Sequence, residues 1–302
     1  MTTQLTTTPG LVPTALPADA VAAGRRRRSM LLLAFPLAVI GVYVLVALIG
    51  PLFMPADVQS TNVADRLLAP GSVTSNGTVA LLGTDQVGRD LLSQIVLGAR
   101  VSLVVGALSL LIAGVIGTVL GLLAGYFGGV LDTVVMRVAD IQLAFPSILL
   151  AVFIAAVLGP SVTNVILTLA ITNWPAFARV ARGQALATRD RDHVNAARTL
   201  GATDGFVIRH SILPVVLSPV LVIATVQFGL VVVAESSLSF LGLGVPINTP
   251  SWGATIANGR DYLDTAWWIS AMPGIALVIL VTAAGIVGDR VRDILDPRSV
   301  TR

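Results

Sequence analysis

The sequence predicts an all-α membrane protein with about six transmembrane helices and both termini on the cytoplasmic side. Of its 302 residues, 55% are hydrophobic and only 12% are charged, and the mean hydropathy is +0.88. Soluble domains carry about 25% charged residues. A soluble core could not bury this much apolar surface, whereas a bilayer solvates such a surface directly. Most of the chain is therefore expected to lie in a membrane.

The residue types that are missing exclude several kinds of site. All 19 basic residues are arginines, and there is no cysteine. Without lysine the chain cannot form a P-loop or a Schiff base, and without cysteine it cannot form disulfides or thiolate metal sites. The two histidines, His193 and His210, lie in a polar stretch, which disfavours haem ligation. We therefore expect no catalytic residue, cofactor or metal site, and the scattered arginines do not indicate a nucleic-acid partner.

Six apolar runs are long enough to cross a bilayer. Residues 1–29, which are rich in Thr, Pro and Ala and contain the cluster Arg25–Arg28, are expected to form a disordered cytoplasmic tail. The run 30–53 is too long for a signal-peptide core, so it predicts an uncleaved first span. The other predicted spans cover residues 98–124, 137–158, 161–180, 214–239 and 267–288. We expect Pro146 to be tolerated within the third span.

The arginine distribution sets the predicted orientation. With the N-terminus inside, 15 of the 19 arginines lie in the N-terminal tail, the inner loops and the C-terminal tail, as the positive-inside rule requires. Residues 54–97 then form an extracytoplasmic segment, 98–288 the transmembrane core, and 289–302 a cytoplasmic tail. The outer arginines are Arg66, Arg89, Arg100 and Arg260.

The longest inner loop, 181–213, is expected to hold a short amphipathic helix outside the membrane. Asp190 or Asp192 could cap its start, and Gly201 is a suitable residue just after its end. Three apolar residues share one face at helical spacing: Val194, Ala197 and Leu200. The loop alone is compatible both with a helix that docks on a partner protein and with a solvated loop held by lipid phosphates.

A resemblance to a known family distinguishes between these interpretations. Asn195-Ala196-Ala197, followed by Gly201 and Leu213-Pro214, resembles the EAA motif of ABC importer permeases. Asn195 stands where that motif usually has Glu, and Ser211 where it usually has Ile. Further blocks resemble the dipeptide/oligopeptide/nickel branch of this family: 82–90 with 98–103, 125–132 with 136–140, 235–244 with 250–253, and 288–298.

The resemblance implies a complex in the bacterial cytoplasmic membrane. Its other members would be a second homologous permease subunit, two ABC ATPase subunits that hydrolyse ATP, and an extracytoplasmic solute-binding protein. The cargo would be a peptide or a similar small solute. The residues expected to couple the chain to the ATPases are Asn195, Ala196, Ala197, Arg198, Gly201, Leu213 and Pro214.

Three further groups of residues are candidates for function. Gly117, Gly121 and Gly125 form a small-residue row that indicates close helix packing, either inside the chain or between two permeases. Glu235, the only glutamate, could line the translocation path or gate, or make a structural contact. The outer residues that could cap and tie down the outer segment, or dock a binding protein, are Asp85, Arg89 and Asp90.

Two smaller predictions concern the membrane surfaces. Arg137 and Asp140 have the spacing of a local ion pair on one helix. Trp252, Trp267 and Trp268 are typical of an outer interfacial belt. A secondary transporter or channel is the alternative function, but it would favour internal repeats and deep ionisable groups, and neither is evident.

Overall fold

The structure, a computed structural model, describes residues 18–54, 61–246 and 248–295, with side chains described from residue 33 to residue 293 within these ranges. An all-α fold is confirmed, with one small antiparallel hairpin of β1 (Ser72–Val73) and β2 (Val79–Ala80). The helices are α1 (Ala18–Phe53), α2 (Leu91–Phe127), α3 (Gly129–Leu143), α4 (Ser147–Leu158), α5 (Val162–Arg189), α6 (Asp192–Thr199), α7 (Asp204–Val207), α8 (Leu213–Phe240), α9 (Trp252–Gly259) and α10 (Trp268–Leu295).

Four helical segments of the described residues are long and apolar enough to cross a membrane: Leu33–Phe53, Leu91–Phe127, Asp204–Phe240 and Trp268–Asp293. Helices α3 and α4 pass the same test together, but they are bent by 91°. The predicted span over 137–158 is therefore broken by a sharp bend, and its crossing of the membrane stays a prediction. Pro146 explains the break, because its ring clashes with a preceding helical turn and disfavours helical geometry at Phe145.

Helix α5 is less apolar, but it packs along α2 over much of its length. Gly117 of α2 approaches Trp174, and one turn further on Gly121 approaches Ala178. The contacts advance together along both helices, so α2 and α5 run parallel. The chain between them must return to the side where α2 began, and α3 runs back along α5 to do so. That α5 also crosses the membrane, which would bring the total to the predicted six spans, stays a prediction.

The helix ends differ from the predicted limits. Helix α1 begins at Ala18, inside the stretch predicted as disordered, because alanine and arginine are good helix formers. Helix α2 begins seven residues earlier than the predicted span, since Asp90 caps it by accepting a hydrogen bond from the Ser93 N–H at 2.8 Å. Helix α10 continues through Leu295. Residues 1–17 and 296–302 lie outside the described residues, so the location of both termini stays a prediction.

The core lies where α2, α5 and α8 meet. Phe177 of α5 is fully buried there, together with apolar residues from all three helices. A second cluster joins Trp252 of α9 to α2 and α10. Trp252 is fully buried and donates to the Ile95 carbonyl at 2.9 Å, so its predicted place in an interfacial belt is wrong. Trp268 is also buried, and only Trp267 remains 51% exposed.

Candidate functional site

The short helix α6 forms in the inner loop, as predicted. Val194 is fully buried in the cluster of α2, α5 and α8 residues, and Ala197 packs against it. Leu200, however, is 88% exposed, so its predicted place on the buried face is wrong. It is the C-cap residue, where the backbone leaves the helical path and turns the side chain outward.

The start of α6 also differs from prediction. The N-cap residue is Arg191, and its side chain makes no capping bond, so neither Asp190 nor Asp192 serves as the cap. Instead, the Asn195 amide donates to the Asp190 carbonyl at 3.2 Å and fixes the turn between α5 and α6. A glutamate carboxylate could not donate this bond, so the departure of Asn195 from the family motif supplies a local contact of its own.

The end of α6 confirms the predicted role of Gly201. Its φ is +86°, a left-handed conformation that glycine adopts without steric cost. Its N–H donates to the Arg198 carbonyl at 2.9 Å, and the Ala202 N–H donates to the Ala197 carbonyl at 3.0 Å. These two bonds make a Schellman motif, which reverses the chain towards α7.

Beside this turn the chain presents a shallow cleft of about 390 Å³, lined by Ala197, Leu200, Gly201, Ala202, Thr203 and Phe206. Phe206 is 51% exposed, and its ring stacks on His210 with 4.3 Å between the centroids. Two large apolar side chains exposed together beside the polar helix α6 indicate a surface that contacts another protein.

Tyr126, at the end of α2, joins α6 and α7 to the spanning helices. Its hydroxyl donates to Asp204 at 2.6 Å, and the Arg198 guanidinium lies 5.3 Å from the centre of its ring. Arg189 of α5 donates to the Gly125 carbonyl at 3.0 Å, satisfying a free carbonyl at the end of α2. No local spacing indicates these contacts, because the partners lie about 60 to 80 residues apart in the chain.

The connection from α7 to α8 is also helical. A π-helical turn covers Ile208–Ile212, and the Leu213 N–H donates to the Ile208 carbonyl. Pro214 lies in the first turn of α8, as predicted, where its missing N–H costs little. Ile212 is fully buried in the same cluster as Val194, so α6 and the start of α8 share one core.

Two ion pairs hold α3 against α5. Arg182 contacts both carboxylate oxygens of Asp132, one of them at 2.7 Å, and Arg179 contacts Asp140 at 2.7 Å. The predicted pair of Arg137 with Asp140 is therefore wrong. Because α3 runs antiparallel to α5, Asp140 pairs with Arg179 instead, whereas Arg137 is exposed.

The glycine row packs inside the chain. A Cβ atom added at Gly117, Gly121 or Gly125 would lie 2.3, 2.1 or 2.7 Å from the carbonyl oxygen of Trp174, Ala178 or Arg182. These distances are too short for any side chain, and the obstructing atoms belong to backbone. Of the two alternatives for this row, the geometry supports packing of α2 on α5.

Glu235 is fully buried between α8 and α2. Its carboxylate oxygens accept hydrogen bonds from Ser102 at 2.8 Å, Ser239 at 2.9 Å and Ser236 at 3.3 Å. None of its surface reaches an opening in this chain. The arrangement ties two helices together.

The predicted outer residues stabilise the segment that precedes α2. Asp85 is 1% exposed and accepts from the Arg89 side chain at 2.7 Å and from Gln94 at 2.9 Å. Asp90 caps α2. The Trp268 indole donates to the Thr84 carbonyl at 3.2 Å and joins this segment to α10. In the ranges with described side chains, no group of three or more His, Asp or Glu is placed to hold a metal ion.

The fold and this exposed loop define a polytopic membrane subunit with a surface for a partner. A family described as binding-protein-dependent transport system inner membrane component matches residues 117–301, which is more than half of the chain. The chain belongs to this family and is an inner-membrane component of a bacterial transport system. The resemblance to ABC importer permeases is thereby confirmed.

Relatives extend the match over most of the chain. A dipeptide transport system permease protein of Alkalihalophilus pseudofirmus is 39% identical over 87% of this chain and 84% of its own length. A di/tripeptide transport system permease protein of Pseudomonas aeruginosa is 41% identical over 83% of each chain. A chain of the MetNI methionine ABC transporter shares the fold, with a TM-score of 0.54 and 24% identity over 70% of this chain and 98% of that one.

Proposed function

We propose that the chain is the permease subunit that forms half of the translocation path of an ABC importer for peptides. It works with a second homologous permease, two ABC ATPase subunits and an extracytoplasmic solute-binding protein, and it hydrolyses no ATP itself. The peptide cargo rests on relatives named for dipeptide and di/tripeptide transport. Membership of the binding-protein-dependent family supports the partners.

One observation carries the mechanism. The helices beside the exposed cleft at Leu200 and Phe206 are joined to the core of α2, α5 and α8. Val194 of α6 is buried in that core, and Tyr126 of α2 donates to Asp204 of α7. An ATPase subunit seated on the cleft would therefore move three spanning helices when it closes on ATP. The coupling residues are Asn195, Ala196, Ala197, Arg198, Gly201, Leu213 and Pro214.

The other candidate residues receive supporting roles. Glu235 fastens α8 to α2 and would hold the gate rather than contact the cargo. Asp85, Arg89 and Asp90 stabilise the outer segment before α2, which also carries the hairpin, whose cross-strand pair Val73 and Val79 is 63% and 54% exposed. This apolar face is suited to contact with the binding protein.

A single cysteine tests the docking surface, because the chain has none of its own. Leu200→Cys, in the assembled transporter, should crosslink to an ATPase subunit. Leu263→Cys is the control, since Leu263 is 55% exposed in the outer region that follows α9, and it should not crosslink. A Leu200→Cys chain that captures no ATPase contradicts the proposal.

Uptake of labelled di- and oligopeptides in a deletion strain tests cargo and coupling together. The wild-type chain should restore uptake. Gly201→Val, which forces a branched side chain into a left-handed position, and Ala197→Asp should abolish uptake while both proteins still insert. Normal import by these variants would show that α6 does not couple the chain to the ATPases. Uphill transport by the purified chain alone would show that no ATPase subunit is needed.

A further inference from the structure

Arg100 is a predicted outer arginine that has no ion-pair partner among the described residues. Arg66 donates to the Gln86 carbonyl at 2.7 Å, Arg89 pairs with Asp85 at 2.7 Å, and Arg260 pairs with Asp261 at 3.3 Å. Arg100 is exposed and makes no hydrogen bond or ion pair with any residue in the described ranges. The Arg100 guanidinium is therefore free to bind an anionic group from outside the chain.

The Arg100 side chain borders a cleft at one edge of the helix bundle. The cleft has a volume of about 310 Å³, and its lining residues are Leu97, Arg100, Val101, Val104, Val162 and Pro250. Val162 is the first residue of α5, and Pro250 belongs to the loop before α9. The cleft therefore lies at the level where spanning helices begin, on the predicted outer side of the membrane.

The residues that line the cleft indicate which kind of molecule could bind there. Arg100 is the only charged lining residue, and every other lining side chain is apolar. Guanidinium groups bind phosphate through paired, charge-assisted hydrogen bonds. Apolar walls suit a hydrocarbon chain, whereas a peptide lying there would leave backbone amides without hydrogen-bond partners.

We propose that this cleft binds one anionic phospholipid. Its phosphate contacts the Arg100 guanidinium, and an acyl chain lies along Leu97, Val101 and Val104. Val101 also packs on a separate buried cluster of α2, α4, α5 and α8 residues, so the lipid would support these helices near the cleft. This site would bind a membrane lipid and not the transported solute, so the proposal does not depend on the proposed transport function.

Native mass spectrometry of the full-length chain, extracted from vesicles of phosphatidylglycerol and phosphatidylcholine, tests the proposal. The wild-type chain should retain one phosphatidylglycerol molecule that Arg100→Gln loses, with an affinity difference on the order of tenfold or more. Arg100→Lys should lose part of this affinity. Arg260→Gln is the control, because Arg260 is exposed but already paired within the chain, and its retention should match the wild type.

A second variant fills the cleft and leaves the charge in place. Val104 is 43% exposed, and Val104→Trp should displace the lipid without affecting the folded core. Equal retention by the wild type, Arg100→Gln and Val104→Trp would overturn the proposal. Displacement of phosphatidylglycerol by a labelled peptide with a free carboxylate would also overturn it, because the cleft would then be a cargo site. If less second permease copurifies with Arg100→Gln than with the wild type, while lipid retention is unchanged, Arg100 belongs to a subunit contact and the proposal is wrong.

Discussion

At the scale of single residues, Glu235 shows how a buried acid can be structural. It is the only glutamate in the chain, and three serine hydroxyls donate to its carboxyl group. Ser102 belongs to α2, whereas Ser236 and Ser239 belong to α8. Removing the carboxyl group would leave these hydroxyls buried without their acceptor, which is costly.

Glu235→Leu is expected to lower the free energy of unfolding by about 2 kcal/mol or more, because the Ser102 and Ser239 hydroxyls lose their acceptor. Glu235→Gln keeps an acceptor oxygen and should cost less. Thermal unfolding of the purified chain in detergent measures both effects. Ser237→Ala is the control, since Ser237 is only partly buried and its hydroxyl donates to the Val233 carbonyl of its own helix. A Glu235→Leu chain with wild-type stability would show that the hydroxyls find other partners.

Local chemistry at the coupling loop could be predicted in part. Gly201 was correctly placed, because the left-handed end of a helix has a strong preference for glycine. Leu200 was not, because helical periodicity holds only within the helix and Leu200 lies at its cap. Arg137 and Asp140 had the spacing of a pair, but Asp140 found Arg179 on another helix. Contacts of this kind depend on how helices pack together, which cannot be deduced from the spacing of residues along one helix.

At the scale of helices, the contact of α2 with α5 depends on the absence of side chains. Gly121 has the closest approach, with the Ala178 carbonyl oxygen 2.1 Å from where a Cβ would lie. Neither helix can move aside without breaking the rows at Gly117 and Gly125. Small-residue rows of this kind let helices in membranes pack closely.

Gly121→Leu is expected to separate α2 from α5 and to destabilise the chain by about 3 kcal/mol or more. The yield of folded protein and its melting temperature in detergent should both fall. Gly183→Leu, a substitution in α5 where no heavy atom lies within 4 Å of the added Cβ, should leave both unchanged. If the two variants behave alike, the row does not contribute to packing.

The sequence predicted most helices because apolar runs and caps are local signals. It did not predict the 91° bend between α3 and α4, since a proline in a span can also be tolerated by its neighbours. The extension of α2 to Leu91 was missed because residues 91–97 mix polar and apolar types, and the Asp90 cap was read only as an outer contact. The partner of the glycine row remained open, because a row of small residues does not specify which helix packs on it.

At the scale of the whole molecule, coupling depends on contacts between distant segments. Tyr126 connects the end of α2 to Asp204, close to the exposed cleft. Arg189 connects the end of α5 to the same end of α2. A displacement of α6 would therefore reach two parallel helices at once.

Tyr126→Phe is expected to reduce the amount of solute transported per ATP hydrolysed, because the ring remains but the bond to Asp204 is lost. The ratio of uptake to ATPase activity in vesicles containing the assembled transporter measures this loss. Tyr262→Phe, in the outer turn after α9, should leave the ratio unchanged. An unaltered ratio in Tyr126→Phe would show that Val194 and Arg198 transmit the motion without this bond.

The parallel contact of α2 with α5 has a consequence for biosynthesis. Helix α2 leaves the ribosome well before α5, with α3 and α4 made in between. Until α5 arrives, the groove at Gly117, Gly121 and Gly125 has no helix to fill it and is covered by lipid tails or by the insertion machinery. Final assembly of the bundle therefore has to wait until more than half of the polypeptide has been translated.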